Sequence, residues 1–364
     1  MAGTVNKFTR RIKTFYELLY NEMSGGKIGI DKFLFRIDDV DTSSDFALDR
    51  LIQNPHGVQF RHRGEQAAIR EYAAGTGTVY DVPRASEKTP ITEQLRDSVI
   101  VGGEETEGFG SKEARMISQI LRQHTIGHTV TRWKLALDTI RTGIFAPLGL
   151  VGNDIGLSID FQRDAGLSLT YDFTAVGADI NKALFNLYKA YRDAGGGAEN
   201  ICLILGDSWL SELEQDETVI EYMKTNVANI TLTRDLVPPE LMNTQGLYLV
   251  ARYRIPGTVT PVYICGFSPD NQFIPYSGGV ATDFFPEGSA IIFSTAATRY
   301  RVMRGVDVLD DSCRATRAVG EIVFDTYTEK DPVATYLRSS ARYAFVPGEI
   351  DHTAVSVGTF PVES

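Results

Sequence analysis

Few residues in this chain have the types and spacing that chemistry needs. One group is Gly206-Asp207-Ser208, directly after the apolar run Ile201-Cys-Leu-Ile-Leu. A serine hydroxyl at the end of a strand becomes a nucleophile when a histidine takes its proton and an acid orients that histidine. The downstream histidine with acidic neighbours is His352, in Glu349-Ile-Asp-His. A second group is His124 and His128, whose i, i+4 spacing can hold a metal ion from one helix face. The intervening Thr125-Ile-Gly contains no glutamate, so the general base of a zinc-peptidase helix is missing. A polar contact within a helix stripe accounts for the pair, and no metal is expected.

The Gly206-Asp207-Ser208 block resembles the nucleophile motif of the esterases that read Gly-Asp-Ser-Leu, with Trp209 in place of the leucine. That family places its serine near the N-terminus and pairs it with Asp-x-x-His. Here the serine is mid-chain, Glu349 stands where the aspartate belongs, and no Gly-x-Asn-Asp follows for an oxyanion hole. A helix starting after a strand explains Asp207-Ser208 equally well. A serine hydrolase using Ser208 and His352 is therefore carried only as the alternative function. Gly195-Gly-Gly ends a helical pattern and does not open one, so it is no phosphate loop. Neither a dinucleotide fingerprint nor a Walker sequence occurs, and no cofactor is expected. Cys202, Cys265 and Cys313 are odd in number and far apart in sequence, which excludes a disulfide framework or a CxxC knuckle and fits a reducing cytosol. The acidic pairs Glu104-Glu105 and Asp310-Asp311 flank turns and read as solvated charge.

With 364 residues, 43% hydrophobic and 23% charged, the chain is long and apolar enough for a large core and about two domains. A net charge of -11 argues against a protein that grips phosphate backbones, since that needs a basic face. It permits a neutral-to-acidic surface facing packed DNA. The N-terminus, Met1-Ala-Gly-Thr-Val-Asn-Lys-Phe-Thr-Arg-Arg, has no apolar secretory core, and no long apolar run predicts a membrane span.

The element that organises the rest is the stretch 108–147. Ser111 to Ala146 has no proline, Ser111 stands at the N-cap position, and Pro147 closes the run. Ile126, Val130, Trp133, Leu137, Ile140 and Ile144 recur in steps of four and three; Ala114, Ile117, Leu121, His124 and His128 form an earlier stripe out of phase with it. A long spine helix that shows different faces to different neighbours is predicted, with Trp133 and Leu137 buried against returning strands. Before it, residues 1–53 hold short pieces only: helices at Phe15 to Met23 and Ser43 to Gln53, and an extended Lys32 to Ile37. This stretch reads either as an arm lying on neighbouring subunits or as a loosely attached extension. Residues 57–95 carry candidate strands at Val58 to Arg63 and Thr78 to Val82, many charges and few large apolar groups. They form either a ribbon ordered by contact with something else or a surface loop. After the spine come strands at Gly156 to Phe161 and Leu167 to Phe173, a helix from Asp179 to Asp193, and a buried strand at Ile201 to Leu205. One or two helices follow within Ser208 to Lys224, then a strand pair at Tyr248 to Tyr253 and Val262 to Cys265 around a Pro256-Gly257 turn. Strands at Ala290 to Ser294, Ile322 to Thr328 and Tyr336 to Phe345 return beside the spine. The fold class is α+β, with a domain built from discontinuous pieces.

The stretch Asp331-Pro-Val-Ala-Thr-Tyr-Leu-Arg-Ser-Ser-Ala-Arg-Tyr-Ala-Phe-Val-Pro-Gly-Glu-Ile-Asp-His-Thr-Ala-Val resembles the ending of the lambda-type (gpE-like) major capsid proteins of tailed phages. The resemblance extends in order over nearly the whole chain and implies the HK-ninety-seven fold. In its terms residues 1–56 are an N-terminal arm, 57–95 an extended loop, and 96–173 a peripheral domain with its spine helix at 108–147. Residues 174–286 are then an axial domain, and 287–364 return to the peripheral domain. It implies a structural protein, not an enzyme, that self-assembles as hexamers and pentamers into an icosahedral virion shell around double-stranded DNA. It also implies synthesis in the host cytoplasm, a separate scaffolding protein, a portal, and room for a decoration protein. Charges of both signs on the loop, Arg61, Arg63, Glu65, Arg70, Glu71, Asp81, Arg84 and Glu87, are the expected inter-subunit contacts. No residue pair for covalent cross-linking carries over.

Containment without gripping has a measurable consequence: free subunits are expected to bind random duplex DNA weakly. Submicromolar, salt-sensitive affinity in an anisotropy titration would contradict this, because it requires many phosphate contacts.

Overall fold

Strands buried on both faces set the architecture. The computed structural model describes residues 29–35, 45–48, 78–91, 112–147, 158–197, 199–216, 219, 247–258, 260–267, 272–273, 282–294, 300–304, 307–311, 314–318, 322–330, 333–347 and 350–361. In chain order the first elements are α1 (Ile30–Leu34), β1 (Asp45–Leu48), β2 (Thr78–Asp81), β3 (Arg84–Ile91) and the spine helix α2 (Lys112–Thr142). Then come β4 (Ile144–Phe145), β5 (Ile159–Asp160), β6 (Ser168–Asp172), α3 (Ile180–Asp193), β7 (Ile201–Leu205) and α4 (Asp207–Gln215). The remaining strands are β8 (Leu247–Tyr253), β9 (Val262–Phe267), β10 (Gln272–Phe273), β11 (Thr282–Asp283), β12 (Ser289–Ser294), β13 (Tyr300–Arg304), β14 (Asp307–Asp311), β15 (Arg314–Ala318), β16 (Val323–Lys330), β17 (Val333–Pro347) and β18 (Ala354–Thr359).

A six-stranded mixed sheet runs in the order β6-β18-β12-β7-β9-β8. Its inner strands alternate between two cores with period two, as a strand must. Ile201, Leu203 and Leu205 of β7, Ile264 of β9 and Ile292 of β12 join a core with Leu184, Leu187 and Tyr191 of α3 and Trp209 of α4. Cys202, Ile204, Cys265, Ile291 and Phe293, one residue out of phase, join a second core with Leu137 and Ile140 of the spine and Leu337 and Phe345 of β17. The sheet is thus a shared wall. Its strands come from 96–173, 174–286 and 287–364 alike, so sheet membership cuts across those ranges.

The second sheet is centred on β17, fifteen residues long. It pairs antiparallel with β16 over Val333 to Ser340, with β3 over Thr335 to Arg342, and with β13 over Tyr343 to Pro347. The spine helix lies against its inner face. At 31 residues it runs about 46 Å. Its buried residues, among the side chains described, come in pairs every four positions, Ile120/Leu121, His124/Thr125, His128/Thr129, Arg132/Trp133 and Ala136/Leu137, and end with Thr139 and Ile140. Four residues turn the helix about 40° past a full turn, so the buried face rotates steadily along the axis. The expectation of different faces for different neighbours holds, with one correction. Ile126, placed at the head of the later stripe, is 38% exposed, because the buried face there belongs to His124, Thr125, His128 and Thr129.

Local chemistry ends the helices where it should. Asp179 caps α3 by accepting hydrogen bonds from the Asn181 and Lys182 amides, and Gly195, at φ +85°, leads the chain away from it. Gly143, at φ +74°, does the same for the spine. The Arg163 guanidinium then donates to the spine's last carbonyls, Ile140 and Arg141, and to Thr353 Oγ1 at 3.0 Å. A cation at that end also meets the negative pole of the helix.

Two short pieces differ from expectation. Lys32 to Ile37 was expected to be extended, yet Ile30–Leu34 is one helical turn, which places Ile30 and Leu34 together in the core beside Phe35. The expected helix across Ser43 to Gln53 is instead a strand at Asp45–Leu48, pairing antiparallel with β2. Propensity over so few residues is easily overridden by tertiary pairing. The expected Phe15 to Met23 helix and Val58 to Arg63 strand lie outside the described residues. Leu137 is 1% exposed, so Leu137→Ala is expected to lower stability by about 2 to 5 kcal/mol. An unchanged urea midpoint would show that the site collapses at no cost.

Candidate functional site

The serine and histidine of the hydrolase alternative are held at opposite ends of the six-stranded sheet. Ser208 starts α4 just beyond Leu205, where Trp209 Nε1 donates to the Gly288 carbonyl at 2.8 Å. His352 sits before β18, next to Gly195, at the end where Ile201 begins β7. The length of β18 between those ends is on the order of 13 Å. A base must come within hydrogen-bond reach of its nucleophile, so this pairing is ruled out. What starts α4 is Gly206 in N-cap position, without a side-chain cap bond.

The histidine pair is engaged otherwise than by metal. Thr89 Oγ1 and His124 Nε2 share a hydrogen bond of 2.8 Å, and His128 Nε2 and Ser339 Oγ share one of 3.0 Å. Glu87 Oε1 lies 3.9 Å from His124 Nε2. One helical turn further on, Arg132 meets Asp31 of α1 at 2.5 Å, both side chains buried, with the Tyr343 ring 5.7 Å from the guanidinium. These contacts form a polar seam along the spine. Through it the helix grips β3, β17 and α1. Desolvation pushes both histidines down to about 4, and for His128 the His124 and Arg132 charges push the same way. Desolvation also raises Glu87. At neutral pH the seam therefore holds neutral imidazoles.

Of the expected contact residues, Arg61, Arg63, Glu65, Arg70 and Glu71 lie outside the described residues. Asp81 ends β2, with its side chain outside them as well. Arg84 and Glu87 stand on opposite faces of β3: Arg84 is exposed, and Glu87 turns inward to His124. Asp31, Arg132 and Arg163 were not singled out from sequence. Asp31 and Arg132 are partners across about a hundred residues, and no local pattern marks such a pair. Cys202 and Cys265 are free, buried neighbours with sulfurs 3.7 Å apart, and burial raises the Cys202 thiol. They pack as small apolar groups. Among the described residues no helix is long and apolar enough to cross a membrane.

A spine helix between a long-stranded sheet and a mixed α/β unit defines the class: a shell-forming subunit of the HK-ninety-seven fold. The capsid protein assigned to a prophage of E. coli CFT073 has this fold, at 12% identity and TM-score 0.58 over 96% of this chain and 99% of that one. The mature capsid of bacteriophage PhiM1 also aligns, at 12% identity and TM-score 0.45 over 88% of this chain and 84% of its own. Residues 30–347 match the family described as phage major capsid protein E, and the chain belongs to that family. No curated relative matches it. The chain is a phage major capsid protein whose role is to build the head shell, and the hydrolase alternative falls.

The seam makes stability depend on pH with a definite sign. Histidines held near 4 when folded but near 6.5 when unfolded bind more protons in the unfolded state between those values. Stability is thus full above about 6.5 and falls as pH drops towards 4, by at most about 1.4 kcal/mol per pH unit for each histidine. Glu87, raised in the folded state, offsets part of this loss by taking its proton more readily there. Urea midpoints measured from pH 7 to 4.5 are expected to fall in the parent and to flatten in His124→Gln/His128→Gln. An equally steep fall in the variant would place the titration elsewhere.

Proposed function

We propose that this subunit assembles as hexamers and pentamers into an icosahedral head enclosing double-stranded DNA, with no catalytic step of its own. The observation that carries the reading is the pair β1–β2. It joins the arm to the extended loop as a two-stranded sheet, separate among the described residues from both larger sheets. A two-stranded ribbon is marginal alone, so this one gains its burial from neighbouring subunits. β3, by contrast, is rooted on β17 along eight residues and anchors the loop's return to the subunit. The loop charges Arg61, Arg63, Glu65, Arg70, Glu71, Asp81 and Arg84 supply contacts of both signs, while Glu87 is turned to His124 of its own subunit. Each exposed pair is worth only about 0 to 1 kcal/mol, but a contact repeated around a closed shell adds across many copies. The partners are further copies of itself, a scaffolding protein, a portal, and the packaged DNA, with space for a decoration protein. Synthesis takes place in the host cytoplasm.

Replacing Phe60 to Asp81 with a short Gly-Ser linker stops before Val82, which is buried in the core. The variant is expected to keep the parent's circular dichroism as a soluble subunit and to form no shells by sedimentation and negative-stain microscopy. Proteolysis around Ala73 to Thr78 is expected to be fast in free subunits and slow in particles. Normal closed particles from the linker variant, or equal resistance in both states, would sink the assembly role of this loop.

A further inference from the structure

We propose that the rings of Phe173, Trp209 and Phe360 form a latch over the ends of β6 and β18, and that this latch opens locally while the rest of the six-stranded sheet stays folded. The latch belongs to the single subunit and is independent of how copies assemble.

Burial fades along the two strands together. β18 begins with Ala354 and Val355 buried in the two cores on either side of the sheet, but Val357 is 50% exposed and Thr359 is exposed as well. β6, its parallel neighbour at the sheet's edge, alternates exposed with half-buried residues. Polar contacts hold the start of this pair. Arg163 Nη2 donates to Thr353 Oγ1 at 3.0 Å, and the Asp164 amide donates to Asp351 Oδ1 at 2.9 Å. Rings hold the far end. Phe173 and Phe360 directly follow β6 and β18, and they stack with centroids 4.7 Å apart and planes 12° from parallel. Both meet Trp209 edge-on, at 4.9 and 5.8 Å.

The base of the latch is fixed. Trp209 is fully buried and donates from Nε1 to the Gly288 carbonyl at 2.8 Å. Gly206, at the N-cap of α4, lies so close to the Glu287 carbonyl that a Cβ there has no room. The movable part is Phe360, half-buried between exposed Thr359 and Pro361. Gly358 makes its seat: a Cβ at that position would stand 2.6 Å from the Phe360 ring and 3.1 Å from Trp209 Nε1. The ring therefore closes only over glycine.

Elements with little buried contact are the ones that open below the global unfolding energy. β6 joins the sheet only through β18, so release of Phe360 loosens both strand ends together, whereas Ala354 and Val355 keep the start of β18 seated. An edge strand is the part of a sheet open to pairing with other chains. The latch sets whether this edge is ordered to its end, at no cost to the core.

The test is amide hydrogen exchange of the full chain read by mass spectrometry, with circular-dichroism melts to follow global stability. Phe360→Ala is expected to speed exchange in peptides covering 169–173 and 355–360 by roughly ten- to a hundredfold, as the loss of two ring contacts implies. Exchange in 201–205 and in the spine at 133–140 is expected to stay at the parent's rate. Gly358→Ala is expected to reproduce the effect by expelling the ring, and to add little once Phe360 is already alanine. Unchanged exchange at both strand ends in Phe360→Ala overturns the latch. An equal rise in 201–205, or loss of the fold, shows that the ring supports the whole sheet and overturns local opening. Fully additive effects of the two substitutions overturn the role given to Gly358 as the seat of the ring.

Discussion

Burial on both faces of the six-stranded sheet is the constraint on which the rest of the structure depends. β7, β9 and β12 are buried along their whole lengths, and a strand with no solvent face needs two covers. One is the helical layer of α3 and α4. The other is the spine with β17 behind it. Since neither core closes without the sheet, the two halves of the subunit share one folding problem. The sheet is itself completed late in the sequence, because β18 is inserted between β6 and β12. Such non-local pairing costs loop-closure entropy before it returns any burial.

Against that apolar wall, the polar seam along the spine serves a different purpose. The buried Arg132–Asp31 pair gives up the hydration of two charges, and a well-packed apolar pair would be as stable or more so. Its value lies in selectivity: a single turn of helix at Ile30–Leu34 has little surface with which to choose its seat. A buried aspartate that is tolerated only beside Arg132 allows one seat. The phenylalanines complete the fit, with Phe33 against Phe293 and Phe35 against Phe345 at centroid separations of 6.0 and 4.8 Å. Arg163 does comparable work at the C-terminal end of the spine by tying its final carbonyls to Thr353, just ahead of β18. The long helix is thereby clamped at Arg132 and at its C-terminal end to parts of the chain distant in sequence.

The two faces of β3 carry different chemistry. Its inward residues, Glu87 and Thr89, fit the spine of their own subunit. Its outward residues, Arg84, Ser86, Lys88 and Pro90, are exposed.

Periodicity in the sequence determined most of the elements. The spine, α3 with its Asp179 cap, and strands β6, β7, β8, β9, β12, β16 and β17 were all legible, because each repeats its apolar residues over enough positions to outweigh local noise. The capsid family was legible in the residues around Ser339 to Phe345, which form the centre of the longest strand. Short pieces were not. Ile30–Leu34 and Asp45–Leu48 have four or five residues each, and their conformation follows from what they pack on or pair with. The candidate chemistry likewise yielded to geometry: Ser208 and His352 match a motif in type, and only the register of β18 shows them to be a sheet's length apart. Which way Glu87 points, which acid meets Arg132, and which cations face each other across β3 and β17 were decided by tertiary structure alone. Each depends on bringing together segments tens to hundreds of residues apart, and a one-residue change of register would reverse the face on which every one of those side chains stands.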